Sequence, residues 1–201
     1  MAADIIIPTC RTHQEVAPLL AEIESTAEGH LRVCATCKTV CASANRNAGL
    51  DWAETPNVIM VDDDITGLPI GWNTALEAVL LADPEALVVS ANLMNTDGGL
   101  GIMLGHPGHR DGHGVVVVPS RQLPTACICM RRTGLRYDEA YEGSGWEDTD
   151  MAAQIRAAYP TGKWLVACGV RVIHKNEKKT QGGDIFKRNC ARYRAKWGRE
   201  T

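Results

Sequence analysis

Three consecutive aspartates, Asp62, Asp63 and Asp64, follow directly on the apolar run Val58-Ile59-Met60-Val61. Such a run reads as a buried strand, and open α/β sheets bind ligands at the carboxyl ends of their strands. If the segment stays extended, Asp62 and Asp64 point to the same side. Paired carboxylates suit a hard divalent cation, Mg2+ or Mn2+, which takes oxygen ligands together with phosphate oxygens. The same triplet also suits an acidic, solvated turn. His174 closes a second apolar run that begins at Val170. Its imidazole is placed either to complete a metal shell with Asp64 or to sit as a hydrogen-bonded polar residue at a strand end.

A second constellation is Gly145-Trp146-Glu147-Asp148-Thr149-Asp150, where glycine precedes a helical pattern that opens with two carboxylates. A helix N-terminus favours negative charge. A carboxylate there can accept the proton of an attacking hydroxyl as a general base. Its plainer role is capping and compensation of the helix dipole.

The elements that must position these groups alternate. Asp4 to Pro8 is an apolar strand, Thr12 and Glu15 have capping-box spacing ahead of a helix reaching Ala27, and Leu31 to Ala35 is a short strand. A helix over 43–53 and the strand 58–61 complete three βα steps, which imply a right-handed, mostly parallel, Rossmann-like sheet flanked by helices. A helix over 72–81, strands over 86–91, 115–118 and 126–130, a helix over 147–158 and a last strand over 170–174 follow. The Gly/His-rich stretch 95–114 carries His106, His109 and His113. Its glycines favour a lid over a transition-metal site.

The chain has 201 residues, 45% hydrophobic and 22% charged, which suits one globular domain with a continuous core. The opening MAADIIIPT has neither the basic region and long apolar run of a signal peptide nor a membrane span, so a cytoplasmic setting is expected. In that setting the eight cysteines read as thiols; Cys34, Cys37 and Cys41 have spacing that would suit metal ligation but lack an evident fourth ligand. Nine of the 21 Lys and Arg fall within residues 175–201, against three of the 24 Asp and Glu. This basic run is interleaved with Phe186, Tyr193 and Trp197. It suits a nucleic-acid backbone and exposed bases, an anionic membrane surface, or an amphipathic helix whose aromatics pack on the domain.

In order, IIIPT, Ala44-Asn45-Arg46-Asn47-Ala48-Gly49, VIMVDDDI, TACICMRR, YDEAYEGSGWEDTDM and VRVIH resemble the family-2 inverting glycosyltransferases of the GT-A fold. The resemblance spans residues 4 to 174. It implies a transferase domain over 1–174, a basic C-terminal extension over 175–201, and a nucleotide diphosphate sugar as donor. It further implies that Asp62, Asp64 and His174 hold the metal and diphosphate, and that Pro8, Thr9, Arg11, Arg46, Asn47, Asp62 and Asp63 line the donor pocket. Asp148 becomes the catalytic base and Glu147 shapes the acceptor site. The chain departs from the pattern after its second strand: Cys34-Ala35-Thr36-Cys37-Lys38 stands where many relatives have an acidic residue that reads the donor base.

The expected reaction is a single in-line displacement with inversion onto an acceptor hydroxyl. The basic, aromatic C-terminal run points to DNA as partner, with a hydroxymethylated pyrimidine as acceptor. The alternatives are a saccharide or lipid-linked acceptor in surface-polymer synthesis and, outside catalysis, a degenerate nucleotide-sugar-binding module.

Overall fold

A computed structural model of the chain describes residues 3–37, 41–99, 114–117, 125–175 and 183–198. Its strands are β1 (Asp4–Pro8), β2 (Val33–Thr36), β3 (Asn57–Val61), β4 (Ile65–Thr66), β5 (Ala86–Met94), β6 (Val115–Val117), β7 (Cys127–Arg131) and β8 (Lys163–His174). Its helices are α1 (His13–Thr26), α2 (Ala42–Trp52), α3 (Trp72–Ala82), α4 (Glu147–Ala158) and α5 (Asp184–Trp197). Residues 100–113, with the three histidines of the expected lid, lie outside the described residues, as do Lys178, Lys179 and Arg199. No described helix is long and apolar enough to cross a membrane.

The strands form one sheet in the order β2-β1-β3-β7-β5-β8-β4, with β6 also on β8. β1, β2, β3, β5 and β8 run one way, as the βα reading requires, while β4, β6 and β7 oppose them. The sheet is therefore mostly parallel in direction but mixed in its pairing. β7 lies antiparallel between β3 and β5, pairing Ile59 with Cys129 on one side and Val89 with Cys129 on the other.

Because successive strand residues face opposite sides, each inner strand feeds two cores. Ile5, Ile7, Ile59, Val61, Cys127 and Cys129 join the side chains of α1 and α3. Ile6, Val58, Met60, Ile128 and Met130 join those of α2 and α4. Cys127 and Cys129 thus share one face, as their alternation predicts, and burial pushes both thiols well above their ordinary range. α1 begins at the expected capping box: the Glu15 amide donates to Thr12 Oγ1, and the Thr12 amide donates to Glu15 Oε2.

Helix α2 presses on β1 at Gly49, where a Cβ would stand 2.1 Å from Ile6 Cγ2. Ile6 is fully buried in a strand paired on both sides. Gly to Ala in a helix interior gains about 1 kcal/mol of propensity, but this contact forces α2 off the sheet. Gly49→Ala is expected to destabilise the fold by about 2 kcal/mol net, read as a lower urea midpoint; a midpoint at or above wild type would show that α2 can move freely.

Candidate active site

The carboxyl ends of β1 and β3 open onto the acidic cluster. After Val61 the chain turns rather than continuing as a strand, with the Ile65 amide donating to the Asp62 carbonyl at 3.2 Å. This turn, not strand pleating, brings Asp62 and Asp64 together. The short strand β4 then pairs with the end of β8, placing Ile65 opposite His174. The Lys175 amide donates to the Asp64 carbonyl at 3.1 Å, and His174 Nε2 lies 3.2 Å from Asp64 Oδ1.

One ligand atom from each of Asp62, Asp64 and His174 lies within 4.8 Å of the others, the only such trio among the described residues. Two carboxylates and an imidazole converging in a half-buried site fit a hard divalent cation. The two carboxylates repel each other, while His174 attracts both. Burial, reinforced by the charges of Asp148 and Asp64 and opposed by Arg46, pushes Asp62 up to about 7. Burial favours neutral His174, but its hydrogen bond with Asp64 and the charges of Asp64 and Asp62 outweigh this and raise it above its ordinary range.

Asp63 turns away from this pair. Its carboxylate accepts from Thr9 Oγ1 and lies 3.2 Å from Arg11 Nε, while the Arg11 amide donates to Thr9 Oγ1. Thr9, Arg11 and Asp63 thus lock the end of β1 to the end of β3, beside the partly exposed Pro8.

Arg46, in the middle of α2, joins the two carboxylate sets. Its Nη1 donates to Glu147 Oε1 at 2.9 Å, and its Nη2 lies 3.2 Å from Asp62 Oδ1 and 3.6 Å from Asp148 Oδ1. The guanidinium stacks 5.4 Å above the Tyr137 ring and is 5% exposed. Burial opposes its charge, yet the three carboxylates hold it firmly protonated. Asn47, its neighbour, faces the other way, donating to the Tyr137 carbonyl and Glu139 and accepting from the Tyr137 amide. It ties α2 to the 137–139 loop.

Glu147 and Asp148 are the first two residues of α4. Burial and the charge of Asp148 push Glu147 up to about 7, against the pull of Arg46. Thr125 Oγ1 donates to Asp148 Oδ2 at 2.7 Å. Glu147 Oε2 and Asp148 Oδ1 are buried without a hydrogen-bond partner. The N-cap is Trp146, the one described non-glycine residue in the left-handed region (φ 76°), preceded by Gly145 at φ 103°.

Thr125 and Tyr137 open two of the motifs, TACICMRR and YDEAYEGSGWEDTDM, but nothing in the sequence marks Thr125 as the holder of Asp148 or Tyr137 as the ring beneath Arg46, and β4 is too short for any periodic signal. The flanking glycines Gly143 and Gly145 do hint at unusual backbone around Trp146.

The Cys34, Cys37 and Cys41 spacing gives no three-ligand group among the described residues. Cys34 lies in β2, and Cys41 occupies the N-cap position of α2, its thiol donating away from the helix to the Tyr141 carbonyl. The basic C-terminal run forms α5, which packs on the domain. Arg188 pairs with Glu142, Arg192 with Asp138, and Lys196 with Asp138 and Asp150, while Tyr193 is 1% exposed.

No protein-family model matches the chain, and no curated protein matches its sequence. Solved structures share its architecture. S. aureus TarS superposes with a TM-score of 0.63 at 16% identity, over 87% of this chain and 37% of that one. TarS 1-349 gives 0.61 at 16%, over 87% and 60%. GalNAc-T7 with UDP, GalNAc and Mn2+ gives 0.62 at 15%, over 98% and 43%. The chain spans between 37% and 60% of the length of these proteins. They are GT-A glycosyltransferases, and identities this low speak to architecture alone: the chain has a GT-A-like fold.

Proposed function

We propose that the chain is a metal-dependent inverting glycosyltransferase of the family-2 type, moving a sugar from a nucleotide diphosphate donor to an acceptor hydroxyl. The observation that carries this reading is the meeting of two carboxylate sets around Arg46: Asp62, Asp64 and His174 on one side, Glu147 and Asp148 on the other. Residues 1–174 make the transferase domain, and 175–201 are an extension docked on it through α5.

Asp62, Asp64 and His174 would hold Mn2+ or Mg2+, which when bound supplies positive charge opposite a departing diphosphate. The presence of UDP and Mn2+ in the GalNAc-T7 structure supports that choice of cofactor and donor class. Asp148, with Oδ2 fixed by Thr125, takes the proton of the acceptor hydroxyl onto its other oxygen. The acceptor oxygen forms its bond to the anomeric carbon on the face opposite the donor phosphate, and the carbon–oxygen bond to phosphate breaks. Arg46 sets its guanidinium 3.6 Å from Asp148 Oδ1, opposite the oxygen held by Thr125. Glu147, held through Oε1, turns its second oxygen to an acceptor hydroxyl. Thr9, Arg11 and Asp63 form the floor of the donor pocket beside Pro8, and Asn47 supports it through the 137–139 loop.

A DNA acceptor, a hydroxymethylated pyrimidine, rests on the basic, aromatic C-terminal run. The ion pairs of α5 to Asp138, Glu142 and Asp150 and the burial of Tyr193 account for much of that run within the domain. A saccharide or lipid-linked hydroxyl is the acceptor class we favour.

Incubating the protein with a panel of nucleotide sugars and Mn2+, with and without chelator, tests the reaction. Chelator-sensitive release of nucleoside diphosphate from one donor is expected. Tight donor binding with no release under any condition would favour the non-catalytic binding module.

A further inference from the structure

The left-handed Trp146 lies directly before the two carboxylates at the start of α4, and α5 touches almost every part of the loop that leads to it. We infer that Asn189 of α5 is a positioning residue for Glu147 and Asp148, fixing the 142–146 loop in the conformation that aims them into the site. This inference rests on the transferase reading for its catalytic consequence, but not for its structural content.

Asn189 is 2% exposed, and both its Nδ2 hydrogens and its Oδ1 engage the loop. Its Nδ2 donates to the carbonyls of Glu142 (2.9 Å) and Gly145 (2.8 Å), and its Oδ1 accepts from the Glu142 amide (3.0 Å). Loop carbonyls with no helical or strand partner are thereby satisfied, which a buried loop requires. Around this contact, the Trp146 ring packs on Phe186 and Tyr193 at 5.6 and 5.3 Å between centroids. Arg188 forks onto Glu142 through two donors.

One turn into α4, the fully buried Asp150 accepts from Tyr141, Gln154, Lys196 and Trp197, so the far end of α5 is fixed to the same helix. On the opposite side of the loop, the Ala42 amide donates to the Gly143 carbonyl. The loop is therefore gripped between α2, which carries Arg46, and α5, which carries Asn189. A non-glycine residue persists in a left-handed conformation only where its surroundings over-determine it. Here those surroundings come mainly from α5.

Asn189→Asp keeps the size of the side chain and removes both donations to the loop. Phe186→Ala, at the half-exposed rim of the cluster, weakens the same grip with less risk to folding. In the full-length chain, amide hydrogen exchange across residues 141–148 is expected to accelerate by roughly tenfold or more in Asn189→Asp and by less in Phe186→Ala, while β1 and β3 keep their protection. Mn2+ alone should bind both variants within about twofold of wild type. With an active donor, kcat should fall by roughly 100-fold in Asn189→Asp at an unchanged donor KM, since a displacement of about 1 Å at a reacting group has that effect.

Wild-type exchange across 141–148 in both variants overturns the inference whether or not any donor is turned over. Faster exchange with wild-type kcat overturns its catalytic part. A wild-type protein that turns over no donor would instead remove the transferase reading, leaving the exchange result to decide the anchoring on its own.

Discussion

Replacing Asp148 by Asn is expected to lower the transfer rate by about 1000-fold while leaving the fold and Mn2+ binding nearly intact. The amide is the size of the carboxylate and can still accept from Thr125 Oγ1 through its carbonyl oxygen. What it loses is the capacity to take a proton, and general-base catalysis by a positioned side chain contributes about 10^2 to 10^4 in rate. Asp148 is not part of the Asp62, Asp64 and His174 trio, so the cation site stays complete. The effect should appear in kcat with donor KM little changed, because the lost interaction develops only as the hydroxyl attacks. Glu147→Gln should do the converse, raising acceptor KM more than it lowers kcat. Asp148→Asn retaining more than a tenth of wild-type kcat would remove Asp148 from the role of base.

The largest stability effect is expected from Arg46→Met. Breaking a buried ion pair by removing one partner costs about 3–5 kcal/mol, because the remaining charge is buried without compensation. Here three carboxylates lose their shared cation. The sign of the pH dependence follows from the directions of their shifts. Asp62 and Glu147 are both raised to about 7, above ordinary values of 3.8 and 4.5. The folded state therefore holds their protons more tightly than the unfolded chain. The stability this provides is fully present below the unfolded values and is lost as pH rises through about 7. Arg46 pulls both groups downward, so its removal raises them further and enlarges the penalty for ionising them.

Urea unfolding should consequently show a wider gap between Arg46→Met and wild type at pH 8 than at pH 5.5. Arg46→Lys, with the charge but without the planar fork, should fall between the two. An equal gap at both pH values would mean that Arg46 contributes packing on Tyr137 rather than charge.

Much of this arrangement is legible from residue order. The capping box fixed the start of α1, the apolar runs marked β1, β3 and the first part of β5, and the carboxylate pair marked the first turn of α4. Each is a local signal, carried by period or by cap chemistry within a few residues. The parts that were not legible depend on distant partners. β8 begins at Lys163, seven residues before the expected Val170; Gly169, near the register shift against β5, breaks the apolar run and hides the strand's first half. β4 has two residues and exists only because β8 pairs with it. The basic run reads equally as a nucleic-acid surface, a membrane surface or a helix packed on the domain; the packing depends on Glu142, Asp138 and Asp150, some 40 to 60 residues earlier, which face it. Arg46 belongs to the donor pocket by motif order, yet its contacts with Glu147 and Asp148 span about 100 residues of chain.

The antiparallel β7 is the only strand between the block β2-β1-β3 and the block formed by β5 and β8. During synthesis, a chain that has emerged only as far as residue 126 has β1 to β3 and β5 but no strand to join them. The edges of β3 and β5 are then open, and unpaired apolar edges are the segments most prone to wrong association. The two blocks can join only once the chain has emerged to Arg131, and the last parallel strand arrives later still. Folding of this chain should thus be governed by long-range closure and run slowly for its size, with chaperone dependence greatest while the ribosome is translating residues 95–163.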